Sequence, residues 1–189
     1  SLKGDLLVVG AMGEESEGLG TTFLVKNGPG ADMAIVGEPT EMKVCVAHKG
    51  ELNVHVTAHG KIAHSSRPHL GVNAISKMGR IIVRLDERLS ELLPIKEHRL
   101  LDRMTHCMTL IKGGLYPAVV PDRCELTVNV RRLPGVDRED ILDMFRSIME
   151  EASREDPDLK FELGYSHDMP PLEISEEHPI VSALSLIHI

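Results

Sequence analysis

The sequence has few aromatic residues and few cysteines. Its 189 residues include three phenylalanines, two tyrosines and no tryptophan, which leaves few rings on which nucleic-acid bases or sugars could stack. The three cysteines, Cys45, Cys107 and Cys124, are far apart and include no CxxC pair, so the sequence predicts neither a disulfide framework nor a cysteine-based zinc site. A reducing compartment is expected, and we assign the chain to the cytoplasm.

Positive charge and long apolar runs are also scarce. Lysine and arginine number 21 against 29 aspartates and glutamates, a formal net charge of −8, which disfavours binding to a nucleic-acid backbone. Apolar runs such as residues 6–9 are far shorter than the roughly 20 residues that cross a bilayer. We therefore expect no nucleic-acid or membrane partner. Because the first residues run directly into a strand-like pattern without an initiator methionine, we also expect a fragment of a longer protein.

The start of the chain has the pattern of a βαβ unit. Leu6–Gly10 and Ala31–Gly37 are short and almost wholly apolar, as strands of a parallel sheet are when both faces are covered. Residues 16–27 between them are long enough for a crossover helix, and a Gly-Pro-Gly sequence ends it. The pattern predicts part of an α/β domain.

From Glu51 onwards, apolar residues alternate with polar ones, which is the pattern of a strand with one buried face. An apolar stripe with helical spacing follows from Val72 to Leu92, and a second helix with a capping-box start runs from Asp137 until Pro157. The remaining predicted strands are Thr105–Ile111, Cys124–Val130 and Phe161–Leu163. The order β-α-β-β-α-β predicts a ferredoxin-like α+β domain, in which two helices cover one face of an antiparallel sheet.

Three acidic side chains follow the two predicted parallel strands. Glu14 and Glu15 come after the first strand, and Glu38 directly follows the second. Because the carboxyl ends of parallel strands meet at one edge of a sheet, these carboxylates are expected to lie together, and their mutual repulsion favours a metal ion between them. Adjacent loop residues point in different directions, so one glutamate can bind the metal while the other accepts a proton. The alternative is that Glu14, Glu15 and Glu17 begin a helix, whose dipole favours acidic side chains there.

Four segments of the sequence carry a recognisable set of motifs. They are GAMGEESEGLG from Gly10, ADMAIVGEPT from Ala31, GKIAHSSRPHLGVNAI from Gly60 and VVPDRCELTVNVRRLPG from Val119. In this order and spacing they resemble the M20 metallopeptidase family, which includes acetylornithine deacetylase and succinyl-diaminopimelate desuccinylase. In that family a zinc-binding α/β catalytic domain is interrupted by a ferredoxin-like lid domain that dimerises.

The resemblance implies three regions in this chain. Residues 1–47 would be part of the catalytic α/β domain, residues 48–165 the ferredoxin-like lid, and residues 166–189 a return toward the catalytic domain. The last residues, LSLIHI, have the sequence that a translated sequencing adapter would give. We expect them to be non-native and leave them out of the fold prediction.

The resemblance also gives the three acidic residues separate roles. Glu14 resembles the family's general base, Glu15 a metal ligand, and Glu38 the acid that completes the coordination of one metal ion. The implied cofactor is a pair of zinc ions in each active site, for which cobalt can substitute. The family's HxD metal motif lies upstream of this sequence and its last histidine ligand downstream, so these residues alone cannot form the two-metal site.

The predicted lid carries the other residues that the resemblance identifies. His64 resembles the lid histidine that reaches the partner subunit's active site and polarises the scissile carbonyl. Arg131 resembles the lid arginine that holds the substrate carboxylate, with Lys49 assisting it. Without the motifs, His64 is one of ten histidines, and Arg131 could simply pair with a neighbouring acid. The implied partners are a second copy of the chain, bound through the lid, and a small-molecule substrate.

These features predict a cytoplasmic, dimeric hydrolase that cleaves the amide bond of an N-acyl amino acid, as a deacetylase or desuccinylase does, with water activated by two zinc ions. A dipeptidase or carboxypeptidase with the same machinery is the alternative within the family. A non-catalytic dimerisation module is the alternative from another class, because part of the metal site is not in this sequence. Ala118 departs from the family by replacing the usual asparagine before Val-Val-Pro, which leaves the particular substrate open. The fragment alone is expected to be inactive.

Overall fold

Two compact units, Ser1–Lys43 and Val44–Ile189, make up the chain in the computed structural model, which describes residues 4–14 and 18–185. The helices are α1 (Leu19–Asn27), α2 (Ala74–Leu92), α3 (Arg138–Glu155) and α4 (Pro179–Ser185). The strands are β1 (Ala47–His48), β2 (Gly50–His59), β3 (Ala63–His64), β4 (Glu97–His98), β5 (Asp102–Arg103), β6 (Thr105–Gly113), β7 (Val119–Val120), β8 (Arg123–Arg132), β9 (Lys160–Met169) and β10 (Leu172–Glu173). Among the described residues, no helix has both the length and the hydrophobicity to span a membrane.

The first unit contains α1 but not the predicted strands. Neither Leu6–Gly10 nor Ala31–Gly37 forms a β-strand, and their apolar side chains are largely exposed, Val8 to 84% and Val36 to 77%. A strand of this composition needs neighbouring strands and a helix on each face before its side chains are buried. The described part of this unit provides only α1. The predicted crossover helix therefore forms, whereas the strands predicted on either side of it do not.

The second unit has the β-α-β-β-α-β order that the sequence predicts. Its main sheet has the strand order β6-β8-β2-β9, and every neighbouring pair is antiparallel. Helices α2 and α3 cover one face of this sheet and bury a single core against it. The ferredoxin-like prediction is confirmed, although β9 is longer than the predicted Phe161–Leu163.

Both long helices begin at side-chain caps. The Ser76 N–H donates to Asn73 Oδ1 at 3.1 Å, which caps α2. At α3, Asp137 and Asp140 form a capping box in which the Asp137 N–H donates to Asp140 Oδ2 at 2.9 Å. The predicted capping box is confirmed, and α3 ends shortly before Pro157, a residue that disfavours continuation of the helix.

Alternation along β2 divides the sheet into a buried face and a polar face. Leu52, Val54 and Val56 are fully buried against the helices, and burying each contributes about 1.5–3 kcal/mol. Burial also raises the pKa of the Cys124 thiol, so this cysteine stays uncharged and packs as an apolar residue. The helices complete the core with Met78, Ile81, Leu85, Ile141, Phe145 and Ile148.

Two pairs of very short strands support the edges of the second unit. Strand β1 pairs with β10, which brings together the chain entering the main sheet and the chain leaving it. The hairpin β4–β5 is attached to this pair, because His98 Nε2 lies 3.2 Å from Glu173 Oε1 and Arg99 Nη2 lies 2.6 Å from Glu176 Oε1. Strands of two residues carry no recognisable period, so the sequence did not predict them.

Arg132 is a buried charge beside the core. Its side chain is only 4% exposed, and its guanidinium binds the Asp168 carboxylate and donates to the Met169 carbonyl at 3.3 Å. Asp168 Oδ2 also accepts from Arg138 Nη1 at 3.0 Å, and the Arg138 guanidinium lies 4.5 Å from the centre of the Tyr165 ring. Asp168 is therefore the carboxylate that compensates the buried charge and joins β8, β9 and the start of α3.

Replacing Asp168 with alanine should lower the free energy of unfolding by about 3 kcal/mol, because it leaves the Arg132 guanidinium buried without its counter-charge. Asp168→Asn should cost less, since the amide oxygen still accepts a hydrogen bond. Urea denaturation of the purified chain measures both changes. Glu139→Ala is the control, because it removes only the exposed carboxylate beside Arg138 and should cost less than about 1 kcal/mol. Equal effects of Asp168→Ala and Glu139→Ala would show that Arg132 does not depend on Asp168.

Candidate functional site

Two of the three predicted acidic residues can be located in the first unit. Glu14 is exposed and lies in a turn, and the Gly18 N–H donates to the Gly13 carbonyl at 2.9 Å. Helix α1 begins only at Leu19, so Glu14 does not belong to its first turn. The first turn of α1 contains no acidic side chain. Glu15 lies outside the described residues.

Glu38 is exposed and directly precedes a tight turn. The Thr40 N–H donates to the Glu38 carbonyl at 2.8 Å, and the Lys43 N–H donates to the Thr40 carbonyl at 3.0 Å. Glu41 and Met42, at the centre of this turn, have φ values of 54° and 63°, in the left-handed region that both central residues of a type I′ turn adopt. The backbone of Glu38 thus lies at the start of a defined turn, and its exposed side chain is accessible to a ligand.

The donor set of the described residues fits only part of a zinc site. Glu38 offers carboxylate oxygens, which are acceptable zinc ligands, but zinc sites in proteins generally add imidazole or thiolate ligands. Within residues 4–14 and 18–185, no three His, Cys, Asp or Glu side chains come close enough to hold a metal ion. The resemblance to the M20 family implies that the remaining ligands of a complete site lie upstream and downstream of this sequence.

His64 lies at the end of β3 with one ring nitrogen already engaged. Its Nδ1 accepts a hydrogen bond from the Ser66 backbone N–H at 3.2 Å and lies 2.8 Å from the Ser66 hydroxyl oxygen. A nitrogen that accepts from an N–H carries no proton in the neutral ring, so the proton of neutral His64 is on Nε2. The exposed ring therefore offers Nε2–H as a hydrogen-bond donor.

The loop that carries His64 is fixed at its base by backbone contacts. Lys61 and Val72 exchange two hydrogen bonds of 2.8 and 2.9 Å, which close the loop on itself. Gly60 allows this closure, because a Cβ atom there would lie 2.1 Å from the Val72 carbonyl oxygen. The Ser65 N–H donates to the Ala118 carbonyl at 2.9 Å, so the position where the family usually has asparagine lies beside His64.

Arg131 lies on the polar face of β8 and forms an ion pair. Its Nη1 lies 2.9 Å from Glu51 Oε2, on the opposite residue of β2. Asn129 Nδ2 donates to the other oxygen of Glu51 at 2.7 Å, and His167 Nε2 lies 3.6 Å from Oε2. We call Glu51, Asn129, Arg131 and His167 the Glu51 network. An ion pair with a neighbouring acid was the alternative for Arg131, but the sequence does not reveal that the acid is Glu51, because register across a sheet cannot be read from one strand.

Lys49 is engaged away from Arg131. Its ammonium group donates to the backbone carbonyl of Arg103, in the short hairpin β4–β5. A lysine ammonium has three donors, so this contact leaves two for other acceptors. In the described structure Lys49 therefore stabilises the β4–β5 hairpin through this hydrogen bond.

The outer edge of the main sheet is apolar near His64. Strand β6 pairs with β8 on one side and, among the described residues, with no strand on the other. The side chains of Leu110, Ile111, Leu115 and Tyr116, in β6 and the turn after it, are between 58% and 88% exposed. An edge strand that exposes apolar side chains is typical of an interface with another chain. This apolar edge continues into Ala118, which contacts the His64 loop.

Comparisons with known proteins extend these observations. Residues 46–157 match the M20 family model described as "Peptidase dimerisation domain". The chain is 32% identical over 186 residues to an acetylornithine deacetylase of Vibrio cholerae serotype O1, an alignment that covers 96% of this chain and 49% of the relative. It is 27% identical over 212 residues to a probable succinyl-diaminopimelate desuccinylase of Staphylococcus epidermidis, covering 98% of this chain and 51% of that protein.

A solved structure with the same fold is the M20 family metallo-carboxypeptidase Sso-CP2 of Sulfolobus solfataricus. The TM-score is 0.56 at 18% identity, over 73% of this chain and 42% of that one. The chain spans about half the length of the curated relatives it matches. Taken with the ferredoxin-like fold of the second unit, these matches show that the chain belongs to the M20 peptidase family and carries its peptidase dimerisation domain.

Proposed function

We propose that this chain is part of a metal-dependent amidohydrolase that cleaves the amide bond of an N-acyl amino acid, as an acetylornithine deacetylase or a desuccinylase does. The observation that carries the proposal is the 32% identity to an acetylornithine deacetylase over 96% of the chain. Glu14, Glu38, His64 and Arg131 all lie in segments with the family's motifs.

We propose that the chain is divided into three regions. Residues 1–47 are part of the catalytic domain, residues 48–165 form the lid, and residues 166–189 return toward the catalytic domain.

The first step of the proposed reaction uses Glu14 as a general base. Glu15 and Glu38 would supply part of the ligand set of two zinc ions, whose chemistry is to activate water and to polarise the amide carbonyl. Glu14 takes the proton from the attacking water and later gives it to the leaving amine. Its exposed position in a turn, with no ion pair among the described contacts, leaves the carboxylate available for this transfer.

His64 is proposed to stabilise the negative charge that develops on the carbonyl oxygen. The contact with Ser66 fixes the donor on Nε2, as this role requires, and a positioned donor of this kind is worth about 3–4 kcal/mol in turnover. We propose that the site it serves belongs to a second copy of the chain, bound at the apolar edge of β6. That edge lies next to the His64 loop, which supports delivery of the imidazole across the interface.

Arg131 is proposed to bind the carboxylate of the substrate. A guanidinium presents a planar fork of N–H donors that matches a carboxylate, and about half of the Arg131 side chain is exposed. Lys49 is proposed to assist, which requires one of the donors that its contact with the Arg103 carbonyl leaves free. We propose that the protein is located in the cytoplasm. The alternative function is that of a dimerisation module without catalytic activity.

The isolated chain should bind zinc weakly and show no amidase activity, because carboxylates without imidazole make a poor zinc site. Equilibrium dialysis with metal analysis measures the affinity, and hydrolysis of N-acetylornithine measures the activity. Glu38→Gln is the matched variant, and it should bind still less zinc. Tight, stoichiometric zinc binding by the isolated chain would contradict the expectation.

In the full-length enzyme, Glu14→Gln should lower turnover by about two to four orders of magnitude, because the amide cannot accept the proton. Its zinc content should remain that of the wild type. Glu15→Gln should instead lose zinc. Steady-state kinetics and metal analysis of both variants test the division of roles, which is wrong if both keep their zinc and lose activity equally.

Mixing two inactive variants tests whether His64 acts across the dimer. His64→Ala removes the donor and Glu14→Gln removes the base, so each homodimer should be nearly inactive with its zinc retained. A mixed dimer has one active site with an intact Glu14 and an intact His64 from its neighbour, and activity should reappear as subunits exchange. Exchange is followed independently by native mass spectrometry. Exchanged dimers that stay inactive would mean that His64 acts within its own subunit or has no role in catalysis.

A further inference from the structure

We infer that Glu51 is a positioning residue that holds Arg131 in the orientation needed to bind the substrate carboxylate. The inference rests on the proposed role of Arg131 and adds the residue on which that role depends. Glu51 and Arg131 are directly opposite each other on the central strands β2 and β8, at the polar face of the sheet. Their contact of 2.9 Å joins Nη1 of the arginine to Oε2 of the glutamate.

A positioning residue should be largely buried, whereas the residue that binds the substrate should remain exposed, and Glu51 and Arg131 differ in this way. The Glu51 side chain is 20% exposed, whereas that of Arg131 is 47% exposed. The guanidinium is thus held on its Nη1 side by a largely covered carboxylate and remains open on the other. Since a guanidinium has five N–H donors in one plane, the donors not used by Glu51 can still meet a second carboxylate.

Glu51 is itself fixed by the rest of the Glu51 network. Asn129 Nδ2 donates to Oε1 at 2.7 Å and also lies 2.8 Å from Asn53 Oδ1, so the amide bridges two residues of β2. Both oxygens of Glu51 therefore have protein partners. A carboxylate held from both sides keeps one rotamer, and the arginine that it binds loses less conformational freedom when a ligand arrives.

His167 reaches the network through a strained piece of backbone. The pairing of β9 with β2 shifts register between Glu51 and Asn53, where β9 contains one extra residue and bulges. His167 in this bulge has a φ of 47°, a left-handed conformation that costs energy for a residue other than glycine. The bulge places its Nε2 3.6 Å from Glu51 Oε2 and sends the neighbouring Asp168 to the buried Arg132. Such a conformation persists only where the surrounding structure holds the residue in it, as the pairing of β9 with β2 does here.

The competing explanation is that Glu51 only neutralises the charge of Arg131. Two conservative substitutions separate the explanations. Glu51→Gln keeps the length of the side chain and an oxygen acceptor for Arg131 but removes the charge. Glu51→Asp keeps the charge but withdraws the carboxylate by one methylene, so that it cannot hold Arg131 and Asn129 at their present positions. Positioning predicts that the aspartate variant is the more damaged, and neutralisation predicts the reverse.

The test is steady-state kinetics of the full-length enzyme with N-acetyl-L-ornithine and with its carboxamide, which lacks the carboxylate. Glu51→Asp and Glu51→Ala should raise KM for N-acetylornithine about tenfold while kcat stays within about twofold, because a misoriented arginine weakens binding of the carboxylate. Glu51→Gln should stay within about threefold of the wild-type KM. None of the three should change KM for the carboxamide. Glu125→Ala is the control, because it removes another Glu–Arg pair of β8, with Arg123, and should change nothing.

Other results of these measurements would overturn the role of Glu51 or that of Arg131. If Glu51→Asp leaves KM unchanged, or Glu51→Gln is the more damaged, positioning is overturned. If both substrates are affected equally, Glu51 serves the fold and the inference is wrong. Arg131→Ala tests the underlying proposal separately: a KM that rises only for N-acetylornithine supports the role of Arg131, whether or not Glu51 positions it. No change in that variant would remove the role of Arg131 and the inference together.

Discussion

The register of strand β2 is the constraint on which the second unit depends. The strand pairs along its whole length with β8, from Gly50 opposite Arg132 to His59 opposite Arg123, and with β9 on its other side. Because side chains alternate between the faces of a strand, a slip by one residue would move Leu52 and its neighbours from the core to solvent. Burial of the apolar face therefore fixes the register, and the register brings Glu51 opposite Arg131. The core and the Glu51 network are two consequences of one pairing.

The two residues that we propose to act from the lid, Arg131 and His64, are held in different ways. Arg131 is on a central strand, where the backbone is rigid and the side chain is oriented by an ion pair. His64 is on a loop, but hydrogen bonds between Lys61 and Val72 close that loop, and the contact with Ser66 fixes its ring. Both arrangements limit the freedom of a side chain before any ligand is bound, which lowers the entropy lost when it is used.

Sequence patterns predicted the second unit well because its elements have clear periods. The alternation after Glu51, the stripe of α2 and the capping box at Asp137 each specify local structure, and six such elements in order identify the ferredoxin-like arrangement. The strands expected at Leu6–Gly10 and Ala31–Gly37 do not form, because an apolar strand needs neighbours that a local pattern does not guarantee. The pairing of Glu51 with Arg131 also escaped prediction, since it joins residues 80 positions apart in sequence.

For the candidate site, the sequence predicts individual residues but not the contacts that surround them. Motifs predicted roles for individual residues, among them Glu14, Glu38, His64 and Arg131, and the structure adds what surrounds each of these four. The Nε2 donor of His64 depends on a turn that brings Ser66 back to the ring. The bulge at His167 depends on a mismatch between two strands. Neither follows from residue types alone, because both are properties of backbone geometry.

Metal analysis of the full-length enzyme, combined with an assay for hydrolysis of N-acetylornithine and N-succinyl-diaminopimelate, tests the proposed function most directly. The proposed function predicts about two zinc ions per subunit and metal-dependent release of the free amine from at least one of these substrates, with activity lost on chelation and restored by zinc. A correctly folded full-length protein that holds no zinc and releases no amine from either substrate would contradict it. That result would leave the chain as a dimerisation module without catalytic activity.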